Sequence, residues 1–130
     1  MCFTYVKSVK YNKTQKLHID NYPICVYTGC IIQTFAKEAL MITNKNTADA
    51  NIIVNIYFED KAPVKGLHLT VPAERVICIR TDLPICEEEY QIPFGQYSLE
   101  LESDVEICAS FGRLDRRYNL GYYSTGYCVR

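Results

Sequence analysis

The sequence has no tryptophan and no uninterrupted apolar run long enough to cross a membrane. A transmembrane helix needs about 18 or more consecutive apolar residues. The longest apolar stretch, residues 22–35, is interrupted by threonine, glycine and glutamine. No long apolar segment follows Met1 either, so nothing resembles a secretory signal peptide. We therefore expect no membrane insertion and no export.

The sequence also lacks an excess of either charge. Its 14 Lys and Arg stand against 15 Asp and Glu, which gives a net charge of −1. A nearly neutral surface does not attract a phosphate backbone over long distances, so we do not expect nucleic acid as a partner. The 48% hydrophobic fraction is that of a globular protein and excludes a disordered or collagen-like chain. A length of 130 residues fits one domain, residues 1–130.

The motifs of metal sites are missing as well. Although there are seven cysteines, no two form a Cys-x-x-Cys pair, and His18 and His68 lie far apart. Because zinc sites usually need two close ligand pairs, we predict no metal and no cofactor. Five cysteines, at positions 25, 30, 78, 108 and 128, lie in apolar runs, where a free thiol behaves as a small hydrophobic side chain. A reducing, cytoplasmic compartment is the simplest expectation.

What the sequence does contain is a series of short alternating apolar runs bounded by turn residues. The clearest is residues 96–102, where Tyr97, Leu99 and Leu101 are predicted to face inward and the intervening residues to face water. Further strands are predicted at residues 22–35, 51–58, 66–71, 75–81, 105–111 and 121–129. This pattern predicts an all-β fold, an antiparallel β-sandwich or jelly-roll-like single domain.

Residues 34–42 allow two interpretations. Ala36, Lys37 and Ala39 are good helix formers. Leu40 and Ile42, however, also fit a strand that ends at the Asn-Lys-Asn turn signal of residues 44–46. We favour the strand.

Charged residues on apolar faces are the candidate functional positions. Continuing the alternation of Phe111 places Arg113 and Asp115 on the apolar face. Burying a charge is costly unless it is paired and hydrogen-bonded. The two residues therefore form either a structural pair that closes one end of the fold or part of a polar cleft that holds a ligand. Both interpretations stay open on the sequence alone.

Two more charged residues show the same pattern. Glu38 shares its face with Leu40 and Ile42, and a charge at the start of an apolar stripe is expected at the rim of the core. Arg80 shares its face with Val76 and Cys78, but the opposite face is apolar too, so the inward side is ambiguous. We expect Arg80 to emerge at the end of its strand.

Several segments, taken in order, resemble the soluble sensory rhodopsin transducer family. They are ANIIVNIYFEDKAP (50–63), LTVPAER (69–75), RTDL (80–83), SDV (103–105) and RLDRR (113–117). The resemblance covers residues 35–127, whereas residues 1–34 are predicted to be divergent N-terminal strands.

The resemblance implies a small soluble β-sandwich that is not an enzyme. It implies a homotetramer with a signalling protein as partner, and a small polar, sugar-like ligand. DNA binding has also been suggested for the family. The ligand-binding positions that the resemblance carries onto this sequence are Glu38, Asn44, Arg75, Arg80, Arg113, Asp115 and Arg117. We expect Tyr122, Tyr123 and Tyr127 to supply an apolar wall.

Two alternatives belong to other functional classes. A carbohydrate-active enzyme would use Glu38 and Asp115 as its two carboxylates. A DNA- or protein-interaction module would use the Arg113–Arg117 cluster, and binding to DNA would then weaken with salt.

Overall fold

The structure, a computed structural model, describes residues 24–31, 36–115, 120–125 and 127–129. These residues form nine strands and no helix, so none of them belongs to a helix that could cross a membrane. The strands are β1 (Ile24–Ile31), β2 (Ala36–Asn44), β3 (Ala50–Phe58), β4 (Val64–Val71), β5 (Arg75–Arg80), β6 (Gly95–Ser103), β7 (Cys108–Asp115), β8 (Leu120–Thr125) and β9 (Tyr127–Val129). The predicted all-β fold is confirmed.

The strands form two antiparallel sheets whose inner faces enclose the core. The five-stranded sheet has the order β4-β3-β6-β1-β9, and the four-stranded sheet has the order β5-β2-β7-β8. Because the chain passes from β4 to β5 through a turn at residues 72–74, the edge of one sheet lies beside the edge of the other. This arrangement creates a groove between the two edges.

The core follows the alternation that the sequence predicts. Val54 of β3 lies opposite Leu101 of β6, and Leu40 of β2 lies opposite Phe111 of β7. All four are buried, as is Tyr97. Burying one such aliphatic or aromatic side chain contributes roughly 1.5–3 kcal/mol. The stripes on β3, β4 and β6 therefore supply much of the driving force for closing the sandwich.

Strand β2 confirms the strand interpretation of the ambiguous segment. It lies between β5 and β7 and pairs with both. Leu40 and Ile42 point into the core, whereas Lys37, Ala39 and Met41 lie on the outer face. A central position with two partners outweighs the helix propensity of Ala36–Leu40, because propensity is a weak preference beside tertiary packing.

Two expectations about cysteines are wrong. Cys78 and Cys108 are exposed and lie on the outer face of the four-stranded sheet rather than in the core. The strands that contain them have hydrophobic residues on both faces, so the alternation of apolar and polar residues could not show which face points inward. The side chains of Cys25, Cys30 and Cys128 lie outside the description of the structure.

The turn at residues 85–90 protects the outer edge of β4. Ile85 and Tyr90 form a small antiparallel bridge. The amide of Glu87 donates to the carbonyl of His68 at 2.9 Å, and the carboxylate of Glu88 accepts the His68 amide at 2.9 Å. An exposed edge strand can pair with another chain. These bonds occupy the edge at that point.

Candidate functional site

The candidate site is built around a buried ion pair at one end of the four-stranded sheet. Arg113 Nη1 donates to Glu38 Oε1 at 3.1 Å, and the side chains of Arg113 and Glu38 are 17% and 3% exposed. The two residues lie directly opposite each other on β7 and β2, so they share the inner face. Glu38 is therefore buried, and the expectation that it lies at the rim is wrong.

The second oxygen of Glu38 is held from the opposite sheet. The hydroxyl of Tyr97, on β6, donates to Glu38 Oε2 at 2.8 Å and lies 2.9 Å from Oγ1 of Thr81, with which it shares a further hydrogen bond. The amide of Thr81 donates to the backbone carbonyl of Glu38 at 3.0 Å, extending the ladder between β2 and β5 by one residue. Tyr97, Glu38 and Thr81 thus join both sheets across the core.

These contacts explain how a carboxylate survives in an apolar core. A buried ion costs several kcal/mol unless its hydrogen-bonding capacity is satisfied. Glu38 receives a guanidinium on one oxygen and a phenol on the other. No described side chain has a buried polar atom without a hydrogen-bond partner. We use the name "polar cluster" for Glu38, Thr81, Tyr97 and Arg113.

Asp115 lies near the polar cluster. It is two residues beyond Arg113 on β7, opposite Ala36, and so shares the inner face with Arg113 and Glu38. It is half-buried and takes part in an interaction of its own. The structure therefore brings Glu38, Arg113 and Asp115 together at one end of the sandwich, as the alternation indicated for Arg113 and Asp115.

Arg80 does not join this group. It lies opposite Ala39, on the outer face of the four-stranded sheet, and its side chain is exposed. Its guanidinium donates to both oxygens of Asp82, from Nε at 3.0 Å and from Nη2 at 2.6 Å. Lys37 Nζ lies 2.7 Å from the same carboxylate. The hydrogen bond from Arg80, assisted by Lys37, lowers the pKa of Asp82 to about 2.

Asn44 and Arg75 lie at the far end of the sheet. They face each other on β2 and β5, six residues along β2 from Glu38, which corresponds to roughly 20 Å of strand. The amide of Asn44 donates to the carbonyls of Ala48 and Val71 at 2.8 and 3.1 Å, and its oxygen accepts the amide of Asn46 at 3.0 Å. Asn44 thus organises the turn between β2 and β3, far from the polar cluster.

Comparison with known proteins identifies the family. Residues 25–126 match the family model of the Anabaena sensory rhodopsin transducer. The chain belongs to this transducer family. The match spans most of the described sandwich, including the polar cluster. No curated protein sequence matches the chain.

Solved structures show the same architecture. The crystal structure of Thermotoga maritima 1070 superposes with a TM-score of 0.68 at 22% identity, over 84% of this chain and 96% of that chain. The Anabaena sensory rhodopsin transducer superposes with a TM-score of 0.59 at 28% identity, over 74% of this chain and 99% of that chain. Both structures are similar to this chain over nearly their whole length, so the transducer fold accounts for both sheets.

Within this transducer fold, sequence reasoning missed two members of the polar cluster. Tyr97 and Thr81 carry hydroxyls that reach Glu38, yet only the apolar character of Tyr97 was used in predicting its strand. A buried tyrosine usually has a partner for its hydroxyl. Applied to Tyr97, that rule predicts a polar partner for its hydroxyl inside the core. Thr81 gave no such signal, because its contact depends on how β5 ends beside β2.

The remaining sequence candidates are partly beyond the description. Arg117 lies outside the described residues, as does the side chain of Tyr127. Tyr122 lies opposite Arg113 in the register of β7 and β8. Tyr123, by contrast, is 76% exposed and lies over Gly112 on the outer face, so it is not a wall of the inner site. Across the described ranges, no group of three or more His, Cys, Asp or Glu is placed to hold a metal ion.

Proposed function

We propose that this transducer-family chain is a cytoplasmic, non-enzymatic signalling or adaptor domain that binds a small polar ligand beside the polar cluster. The observation that carries the proposal is the Arg113–Glu38 pair inside a core that is otherwise mainly apolar. A buried ion pair is often neutral or unfavourable for stability compared with well-packed apolar residues. Its presence at one end of the sandwich therefore supports a role in recognition.

The chemistry of Arg113 and Asp115 favours a ligand with hydroxyl or carboxylate groups. A guanidinium offers several N–H donors in a fixed plane, and Nη1 of Arg113 donates to Glu38. Part of the Arg113 side chain stays accessible. Asp115, on the same face, provides carboxylate oxygens that can accept hydroxyl donors. A sugar presents the hydroxyls, and a sugar acid presents hydroxyls and a carboxylate side by side.

The state of Glu38 favours binding over catalysis. A glycosidase needs two carboxylates that reach the substrate from opposite sides of the bond. Glu38 is almost fully buried, and Arg113 and Tyr97 occupy its two oxygens. We therefore propose a non-enzymatic role. Hydrolysis of a glycoside that is lost in both Glu38→Gln and Asp115→Asn would contradict it.

Free thiols support the proposed compartment. Cys78, Cys86 and Cys108 are unpaired in the described part of the chain. Thiols persist in the reduced form mainly in the cytoplasm, where disulfides are rare.

A thermal-shift screen tests the ligand proposal. Wild type, Arg113→Lys and the control Lys45→Gln are each melted with sugars, sugar acids and nucleotides. Lys45 is exposed and lies beyond the end of β2. A ligand at 100 times its dissociation constant should stabilise the folded state by about 2.7 kcal/mol. We expect a shift in wild type and the control that Arg113→Lys loses while remaining folded. No shift with any probe, or an equal shift in all three proteins, would refute the proposal.

We also propose that the chain assembles with copies of itself, as a tetramer, through the outer face of the four-stranded sheet. Leu114 and Tyr123 lie close together on this face, on neighbouring strands β7 and β8, and are 46% and 76% exposed. Val76, 64% exposed, lies on the same face toward the other end of the sheet. Adjacent exposed apolar side chains on one face mark an interaction surface. A signalling partner would then bind to the assembly.

Light scattering after gel filtration tests the assembly. Leu114→Glu should lower the molecular mass toward that of a monomer, because it places a charge in the proposed contact. Leu83→Glu is the control, since Leu83 is similarly exposed but lies in the turn after β5. A wild type that is monomeric, or a mass unaffected by Leu114→Glu, would exclude this interface.

A further inference from the structure

The groove between β4 and β5 has the size and floor of a small-molecule site. Its volume is about 450 Å³, within the range of roughly 300–1,000 Å³ for ligand pockets. Leu69 of β4, Ile79 of β5 and Ile85 of the following turn line it and are partly or fully buried. The groove therefore offers an apolar surface for a hydrocarbon chain. None of the four residues of the polar cluster lines the groove. The groove and the polar cluster lie near the same end of β5.

One wall of the groove carries a surplus of positive charge. Arg80 lines the groove, and Asp82 grips its guanidinium through two hydrogen bonds. Asp82 is shared with Lys37, so two cations stand against one carboxylate. Arg80, Lys37 and Asp82 together carry a net charge of +1. The two hydrogen bonds to Asp82 fix the orientation of the Arg80 guanidinium. A fixed guanidinium is well suited to a carboxylate.

The other wall is negative. Glu87 lines the groove, and Thr70 donates to its carboxylate from Oγ1 at 3.1 Å. Glu88 follows, and its carboxylate is engaged with the backbone and ring of His68. A second anionic group on a ligand would meet this wall, and like charges repel. The groove thus favours one carboxylate at the Arg80 wall and no charge elsewhere.

We infer that the groove binds small monocarboxylates with an apolar body, the carboxylate at Arg80 and the hydrocarbon on Leu69 and Ile79. This site opens at the edge between β4 and β5, with Arg80 on the outer face of β5, whereas the polar cluster lies inside the sandwich. The inference is therefore independent of the function proposed above.

Titration of the ¹⁵N-labelled chain with three six-carbon probes tests the inference. The probes are hexanoate, its neutral counterpart hexan-1-ol and the dicarboxylate adipate. We expect hexanoate to shift the amide signals of Leu69 and Ile79 and to bind at least about tenfold more tightly than the other two. Hexan-1-ol lacks the charge that strengthens a hydrogen bond from Arg80, and adipate brings a second carboxylate toward Glu87. Binding of hexan-1-ol as tight as that of hexanoate would show that Arg80 is not used and would overturn the inference.

Three variants locate the charges. Arg80→Gln should weaken hexanoate binding at least about tenfold, whereas Lys45→Gln, which removes the same charge at an exposed site outside the groove, should not. Glu87→Gln should narrow the preference for hexanoate over adipate. Equal weakening in Arg80→Gln and Lys45→Gln, shifts that map to Phe111 and Arg113, or no binding by wild type would each refute the site. Amide spectra of every variant verify the fold.

Discussion

The hydroxyl of Tyr97 acts at the scale of single residues but joins two sheets. Tyr97 belongs to β6 of the five-stranded sheet, and the carboxylate it reaches belongs to β2 of the four-stranded sheet. Around this bond the core consists mainly of aliphatic side chains, whose contacts have no directional preference. A directional contact to a charged acceptor restricts that freedom. The hydroxyl therefore fixes how the two sheets are placed at this end of the sandwich.

Tyr97→Phe should destabilise the protein by about 1.5–3 kcal/mol, because a buried carboxylate oxygen loses its donor. Urea unfolding followed by circular dichroism measures the change. Tyr57→Phe is the matched control: the Tyr57 hydroxyl also donates to a carboxylate, Glu100 at 3.1 Å, but on a half-buried outer face. Its loss should cost less than about 1 kcal/mol. Equal costs for the two variants would contradict the special role of the buried bond.

The Asp82 carboxylate gives a pH dependence at the same scale. Its pKa falls from 3.8 to about 2 in the folded state, chiefly through the hydrogen bond from Arg80. A lowered folded-state pKa means that the carboxylate stabilises the protein above pH 3.8 and that this contribution disappears as the pH falls to about 2.

Melting wild type and Asp82→Asn across that interval checks the expectation. Above the interval wild type should be the more stable, by at most about 1 kcal/mol, since the pairs with Lys37 and Arg80 are partly exposed. The two melting temperatures should converge at the acid end. A constant difference down to pH 2 would show that the charge of Asp82 contributes nothing.

The predictability of individual residues from sequence depended on how unambiguous their strand was. Arg113 and Asp115 follow a clean alternation from Phe111, and both lie on the inner face as predicted. Arg80 follows a run that is apolar on both faces, so its outer position could not be deduced. The burial of Glu38 depends on Tyr97, which is 59 residues away in sequence. Contacts of that kind depend on the spacing of the sheets rather than on any local pattern.

At the scale of elements, the edge of β4 depends on one acidic side chain. Hydrogen bonds from the ring and amide of His68 lower the pKa of Glu88. The hydrogen bonds between Glu88 and His68 therefore stabilise the fold fully above the ordinary pKa of a glutamate, and this contribution is lost as the pH falls through the lowered value. Glu87 adds a backbone bond to the same residue of β4. Together they shield a strand edge that would otherwise be open to pairing.

Glu88→Ala should expose this edge. We expect the amide hydrogen of His68 to exchange several-fold faster and the protein to aggregate more readily at high concentration, because the amide loses its acceptor. Hydrogen exchange followed by mass spectrometry or NMR measures it. Glu59→Ala is the control, since Glu59 is equally acidic and exposed but lies after β3. If the exchange rate of the His68 amide is unchanged, its hydrogen bond to Glu88 does not protect this edge.

Strand boundaries were predictable where turn chemistry is strong. Strand β4 ends at Val71, directly before Pro72, as expected because proline has no N–H to donate to the ladder. The start of β7 was less predictable. The alternation suggests a strand from Val105, but β7 begins at Cys108, because Val105 and Ile107 pack against the core without joining the ladder. Periodicity reports which side is buried and not which residues pair.

At the scale of the whole molecule, pairing is mostly between strands far apart in sequence. Leu40 pairs with Phe111, and β1 pairs with both β6 and β9. Non-local pairing of this kind slows folding, since long loops must close before any contact stabilises the chain. We expect refolding from urea in roughly milliseconds to seconds. Stopped-flow circular dichroism measures the rate, and microsecond folding would contradict this reasoning.

Because the first and last described strands pair with each other, the sandwich should tolerate circular permutation. Ile24 of β1 lies opposite Val129 of β9. Opposed residues in antiparallel strands are only about 5 Å apart, so a linker of a few glycines can join position 129 to position 24. New ends can then open in the exposed turn at residues 59–62. Such a circular permutant should retain both sheets. Because positions 24 and 129 lie close together, the sandwich should also fit into a surface loop of a host protein without separating the two ends of that loop.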